Sequence, residues 1–212
     1  MFNPNDTVLF QGDSITDASR RKGRKGPNDA AGLGLGYAFH ASAQLLKQSP
    51  GLGLNIYNRG LSGNKVYQLA DRWKKDCLKL KPDVLSILIG VNDYSHAHFH
   101  GYGGTLAEYE RDYNTLLEST RVMLPEVKLI IGEPFLLEAG QITDAHVEGV
   151  SVYQEAARRV ADRFSAVWVP YQQAFNEALK QAPAEYWAPD GVHPTVAGHM
   201  LMAQAWLDAV GI

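Results

Sequence analysis

Four short segments of this chain gather side chains that can carry out acyl transfer. Gly12-Asp13-Ser14-Ile15-Thr16-Asp17 offers a hydroxyl, Asn58-Arg59-Gly60-Leu61-Ser62-Gly63-Asn64 offers flexible backbone amides, and Gly90-Val91-Asn92-Asp93 offers a carboxamide. The fourth, Trp187 to Pro194, contains Asp190-Gly191-Val192-His193. A serine hydroxyl is a weak nucleophile until a base takes its proton, and imidazole is the natural base near neutral pH. That imidazole needs an acceptor on its other nitrogen, and Asp190, three residues before His193, can reach it from the same turn. A tetrahedral intermediate also needs donors aimed at its oxyanion. The amides of Ser14 and Gly63 and the carboxamide of Asn92 are candidates, with Gly60 competing for the place of Gly63. Each segment alone reads as an ordinary turn. Together they supply nucleophile, base, orienting acid and oxyanion donors.

These segments need elements that end in one place. Five apolar runs, Thr7 to Gln11, Leu54 to Asn58, Val84 to Ile89, Val127 to Ile131 and Ala166 to Val169, are apolar on both alternations, as strands covered on both faces are. Between them, apolar residues recur at three- and four-residue steps over Leu106 to Leu124, over Val147 to Phe164 and over Val196 to Val210. Another helical pattern starts with Phe39, Ala43 and Leu46. Strands alternating with helices predict a largely parallel sheet with helices on both sides, in one domain spanning residues 1–212. Ligands of such sheets sit beyond the carboxyl ends of the strands, where the polar segments fall. Arg20 to Gly36, with five cations between Arg20 and Lys25, reads as a solvated loop whose charge could also guide an anionic ligand.

Composition removes several other classes. The 20 basic and 23 acidic side chains leave a net charge of −3, which gives no footprint for nucleic acid. A lone cysteine, Cys77, cannot close an internal disulfide or build a cysteine zinc site, and its apolar neighbours suggest an inert core thiol. No segment approaches the roughly 20 apolar residues of a membrane span, and the amino terminus lacks the pattern of a secretory leader. A cytoplasmic protein without membrane contact is expected. His96, His98 and His100 are expected in a polar loop after the third strand and would suit a metal, yet they are assigned to a wall of the substrate pocket, and no metal or cofactor is expected. Tyr94, Tyr186 and Trp187 are candidate substrate-binding aromatics, able to stack on a sugar or surround an acyl chain.

With these four segments in this order, the sequence resembles the SGNH hydrolases, the GDSL-type esterase and lipase superfamily. The resemblance implies a three-layer α/β/α sandwich around a flavodoxin-like, five-stranded parallel sheet of order 2-1-3-4-5. It implies Ser14 as nucleophile, His193 as base and acid, Asp190 as its partner, and Ser14, Gly63 and Asn92 as the oxyanion hole. Asp13, Asp17 and Asp93 are then expected to brace loops through backbone amides. Gly12 to Asp17, Asn58 to Asn64 and Val192 to Met200 look most like intracellular bacterial acetylxylan esterases, which implies deacetylation of xylo-oligosaccharides by a homo-oligomer. The alternatives are an SGNH lipase, lysophospholipase or thioesterase-type acyl hydrolase, a metal-dependent phosphoesterase, and a non-catalytic flavodoxin-like binding module.

Overall fold

The computed structural model describes residues 1–212. Five strands, β1 Thr7–Gly12, β2 Asn55–Asn58, β3 Val84–Leu88, β4 Lys128–Gly132 and β5 Val167–Val169, form one parallel sheet in the order β2-β1-β3-β4-β5. All five lie within a residue or two of the apolar runs that predict them. The central strands bury both alternations, whereas edge strands β2 and β5 do not, because only one side of an edge strand has a neighbour. Ser86, the polar interruption of β3, is buried and accepts a hydrogen bond from the indole N–H of Trp206 at 3.0 Å.

The register decides where the site forms. Phe10 of β1 pairs with Asn58 of β2, and Gly12 of β1 pairs with Leu88 of β3, which in turn pairs with Gly132 of β4. The carboxyl ends of the central strands therefore lie side by side. The chain leaves β1 toward β2 on one side and later adds β3, β4 and β5 on the other, so the crevice between the β1 and β3 exits is the topological switch point.

Ten helices flank or cap the sheet: α1 Ser14–Asp17, α2 Ala30–Leu33, α3 Tyr37–Gln48, α4 Val66–Trp73, α5 Val91–Phe99, α6 Leu106–Met123, α7 Asp144–Arg163, α8 Tyr171–Ala178, α9 Ala184–Trp187 and α10 Val196–Val210. Helices α3 and α10 pack together as one outer layer, and α4, α6 and α7 form the other. With the sheet between them these make the α/β/α sandwich. Fifty-one buried apolar residues form one contiguous core.

Two expectations change. The buried face of α3 is Tyr37, Ala38, Ala41, Ser42 and Leu45, not Phe39, Ala43 and Leu46. Tyr37 sets the helix rotation: it is fully buried, with its ring edge-on to Phe10 and Tyr171. The histidine segment is not a loop, since α5 carries His96 and His98 and ends just before His100. Cys77 lies in a wide turn, Lys74–Leu78, that continues α4; its thiol is fully buried, and burial pushes its pKa up to about 12.

Candidate active site

The strand ends bring Ser14 and His193 together across 179 positions of sequence. Asp13 caps α1, its Oδ1 accepting the Ile15 N–H at 3.0 Å, which sets Ser14 as the first helical residue. First-turn amides of a helix have no intrahelical acceptor, so the Ser14 N–H is available to a ligand. Ser14 Oγ lies 2.8 Å from His193 Nε2, and His193 Nδ1 lies 2.7 Å from Asp190 Oδ2. An ionised carboxylate only accepts, so the proton sits on Nδ1, and Nε2 is left to accept the hydroxyl proton of Ser14.

Asp190 also folds its own turn. Its Oδ1 accepts the N–H of Val192 at 2.9 Å and of His193 at 2.7 Å. Partial burial raises the Asp190 pKa, but these two amides and the imidazole outweigh it and hold the carboxyl below its usual range. Leu137 N–H donates to Gly191 O at 2.9 Å, which anchors this turn to the segment after β4.

The two candidate loop glycines separate on geometry. Gly60 packs against α1, where a Cβ would stand 2.4 Å from the Asp17 nitrogen, and its N–H is taken by Asn58 Oδ1 at 2.8 Å. Gly63 has φ +78°, a left-handed turn that favours glycine, with open space on its Cβ side. Its N–H has no acceptor within the chain. Asn92, 7% exposed, uses one carboxamide N–H on Asn64 O at 3.1 Å and keeps a second donor. Ser14, Gly63 and Asn92 thus each keep a free donor on the segments that follow three adjacent strands. The aspartates brace those loops: Asp17 Oδ2 accepts the amide and hydroxyl of Ser62, and Asp93 Oδ1 accepts the Val66 amide.

A cleft of about 480 Å³ opens beside Asn92, Asp190 and His193, walled by His96 and His100 on one side and Gln141 on the other. An activated serine beside open oxyanion donors at a cleft is what acyl transfer requires. Residues 10–201 match the family model of the GDSL-like lipase/acylhydrolase family. The chain belongs to the GDSL-like lipase/acylhydrolase family. It is 36% identical over 211 residues to the acetylxylan esterase of Geobacillus stearothermophilus, covering 97% of this chain and 94% of that one. Among solved structures, a GDSL-like protein from Parabacteroides merdae superposes with a TM-score of 0.97 at 45% identity, covering 100% and 98% of the two chains. The crystal structure of the Geobacillus enzyme superposes with a TM-score of 0.90 at 34% identity, covering 100% and 96%.

This GDSL-family member is a carboxylic ester hydrolase. Tyr94 does not reach the cleft. It is 3% exposed and lies within α5, against Tyr153 and His98, because a helix begins where a loop is expected and turns that ring inward. Tyr186 and Trp187 sit on α9, outside the cleft wall; Tyr186 is 56% exposed, and the Trp187 indole donates to Ala182 O. His98 Nδ1 engages Tyr94 O at 2.8 Å, while His96 and His100 meet edge-on at 5.0 Å. No three His, Cys, Asp or Glu side chains are grouped to hold a metal ion.

Arg72 of α4 is a residue that sequence reasoning passes over. Its Nε donates to Asn64 Oδ1 at 2.7 Å, Nη1 to Gln11 Oε1 and Arg59 O, and Nη2 to Gly12 O at 3.2 Å. One guanidinium therefore ties the β1 exit to the glycine loop, and through Asn64 to Asn92. The only local signal is a cation in the last turn of α4. His199, on α10, accepts the Tyr37 amide at 3.1 Å and locks α10 onto the start of α3. Burial first, then His40 and His193, push its pKa down to about 4, so it stays neutral and able to accept.

Proposed function

We propose that this ester hydrolase removes acetyl groups from carbohydrate, with acetylated xylo-oligosaccharides as the substrate class. The carrying observation is the cleft lining. Seven of its 12 wall residues carry hydrogen-bonding side chains, and the apolar ones, Phe99, Ile142, Pro189 and Val192, are interspersed among them. A long acyl chain needs a continuous apolar wall to repay its transfer from water. An acetyl group does not, and a polar wall suits hydroxyls. This supports the deacetylase reading over a lipase, lysophospholipase or thioesterase, and the name of the Geobacillus relative points the same way.

In the proposed mechanism, Ser14 Oγ attacks the ester carbonyl as His193 Nε2 takes its proton. The amides of Ser14 and Gly63 and the Asn92 carboxamide hold the oxyanion. His193 returns the proton to the departing sugar alcohol, and Asp190 stabilises the imidazolium between the two transfers. Water, activated by the same imidazole, then attacks the acetyl-enzyme and releases acetate. Tyr186 and Trp187 offer a sugar a rim beyond the cleft.

The reading includes one cytoplasmic domain that assembles with copies of itself. Support for assembly comes from Tyr186, Val196 and Met200, which are exposed on neighbouring turns of α9 and α10, where Thr195 Oγ1 donates to Tyr186 O. Mass spectrometry of acetylated xylo-oligosaccharides, run beside a series of 4-nitrophenyl esters, tests the substrate. Loss of acetyl mass and a steep decline in kcat/KM beyond short acyl chains are expected. Faster turnover of octanoyl than of acetyl esters would reject the reading.

A further inference from the structure

A second concavity, of about 560 Å³, lies behind the glycine loop rather than at the triad. Its walls carry Arg20, Lys22, Lys25, Arg59 and Lys75 against a single carboxylate, Asp76. That carboxylate is committed to Arg72, 3.3 Å away, and Lys22 to Asp17, 3.4 Å away. Arg20, Lys25, Arg59 and Lys75 pair with no carboxylate of the chain, in a protein whose net charge is negative.

The two arginines are held in place. Arg20 Nε donates to Gly60 O at 2.7 Å, and Arg59, 9% exposed, donates from Nη1 to Asn58 O and from Nη2 to Lys25 O. Neither Nη of Arg20 donates within the chain. Burial above all, with repulsion from Arg59 and Arg72 set against attraction by Asp17 and Asp76, holds the Arg20 guanidinium below its usual range. Like charges crowded in a partly desolvated cleft are destabilising until an anion joins them.

We propose that this cleft is a binding site for a small molecule bearing a phosphoryl group. A guanidinium fork matches oxyanion geometry, and four cations without a carboxylate partner call for more than the single charge of a carboxylate. The concavity exceeds the size of a bare phosphate, and Leu61 and Leu80 give it apolar wall for an organic portion. Arg59 and Leu61 of its wall flank Gly60, whose carbonyl holds Arg20, so the ligand would sit against the loop that presents Gly63.

Isothermal titration at constant ionic strength tests the site, with inorganic phosphate, inorganic pyrophosphate and glucose 6-phosphate as probes. Pyrophosphate or glucose 6-phosphate should bind with a Kd below about 1 mM. Tighter binding of the sugar phosphate would assign the organic portion, and tighter binding of pyrophosphate would assign a diphosphate. Lys25→Glu with Lys75→Glu should weaken binding by roughly tenfold or more, since two wall charges reverse. The same pair of changes should leave 4-nitrophenyl acetate turnover within about twofold, because neither side chain belongs to the catalytic machinery. Lys25→Gln with Lys75→Gln serves if the charge-reversed protein does not fold. Absence of heat with all three probes, unchanged affinity in the folded double variant, or an equal response to sodium chloride would overturn the proposal. Binding of heparin without either phosphate ester or pyrophosphate would overturn it as well.

Discussion

At the scale of single residues, the proton on His193 Nδ1 is what turns three side chains into a reactive group. Asp190 fixes it there at 2.7 Å and draws two amides of its own turn onto its other oxygen, so the acceptor and the base are built by one four-residue segment. That local closure is why Asp190 and His193 are legible as a pair from their spacing alone. Tyr94 is not legible in the same way, because whether an aromatic ring faces a cleft or the core depends on where α5 starts. In the proposed mechanism Asn92 contributes through a carboxamide that Asn64 O steadies. Asn92→Ala should lower kcat on 4-nitrophenyl acetate by about a hundredfold with a much smaller change in KM, as loss of one oxyanion donor does. Steady-state kinetics would check this, and a change confined to KM would speak for ground-state binding instead.

Elements meet at Arg72. Ser14, Gly63 and Asn92 ride on three separate segments, and the guanidinium of α4 bonds to the β1 exit, to Arg59 O on the glycine loop and to the Asn64 side chain. Lysine keeps the charge and loses the fork. Arg72→Lys should therefore lower kcat by about one order of magnitude or more, since displacement of catalytic groups by an ångström is costly. The circular dichroism spectrum should be preserved. Wild-type kcat in the variant would show that the loops hold themselves. Sequence patterning finds helices such as α6, α7 and α10 because their apolar spacing is local. The buried face of α3 was set instead by Tyr37 meeting Phe10 and Tyr171, and the partners of Arg72 lie up to 61 residues away. Contacts of that kind have no signature in a window of sequence.

The whole molecule shows its design in how the sheet order places the polar ends and in what it buries beneath them. Strand existence and layering were legible because β1, β3 and β4 are apolar on both alternations. The strand order rested on resemblance to a family, and the register that aligns Gly12 with Leu88 appears only in the fold. Asp13 and Asp93 lie buried below the site, each with one oxygen lacking a hydrogen-bond partner, and burial raises each pKa to about 7. Between about pH 4 and 7 the fold keeps protons on these carboxyls that the unfolded chain releases. Their contribution is full in acid and is lost as pH rises through 7. His199 acts oppositely: the unfolded chain is protonated below the ordinary histidine pKa of 6.5 while the fold excludes that proton down to about 4, so its contribution is lost as pH falls. Asp93→Asn removes one of these opposing slopes. Its Tm relative to wild type should rise between pH 5 and about 7.5, as measured by differential scanning calorimetry. A Tm difference independent of pH would mean that Asp93 is ionised throughout.

In the proposed mechanism Ser14 forms a covalent acyl-enzyme, and a phosphonate label tests this directly. Intact-protein and peptide mass spectrometry after treatment with a 4-nitrophenyl phosphonate ester should find a single adduct on the peptide containing Ser14, with esterase activity lost in proportion. Ser14→Ala should take up no label and hydrolyse 4-nitrophenyl acetate at a rate at least about a thousandfold lower, while keeping its folded spectrum. Turnover retained by Ser14→Ala, or an adduct on any other residue, would contradict the account.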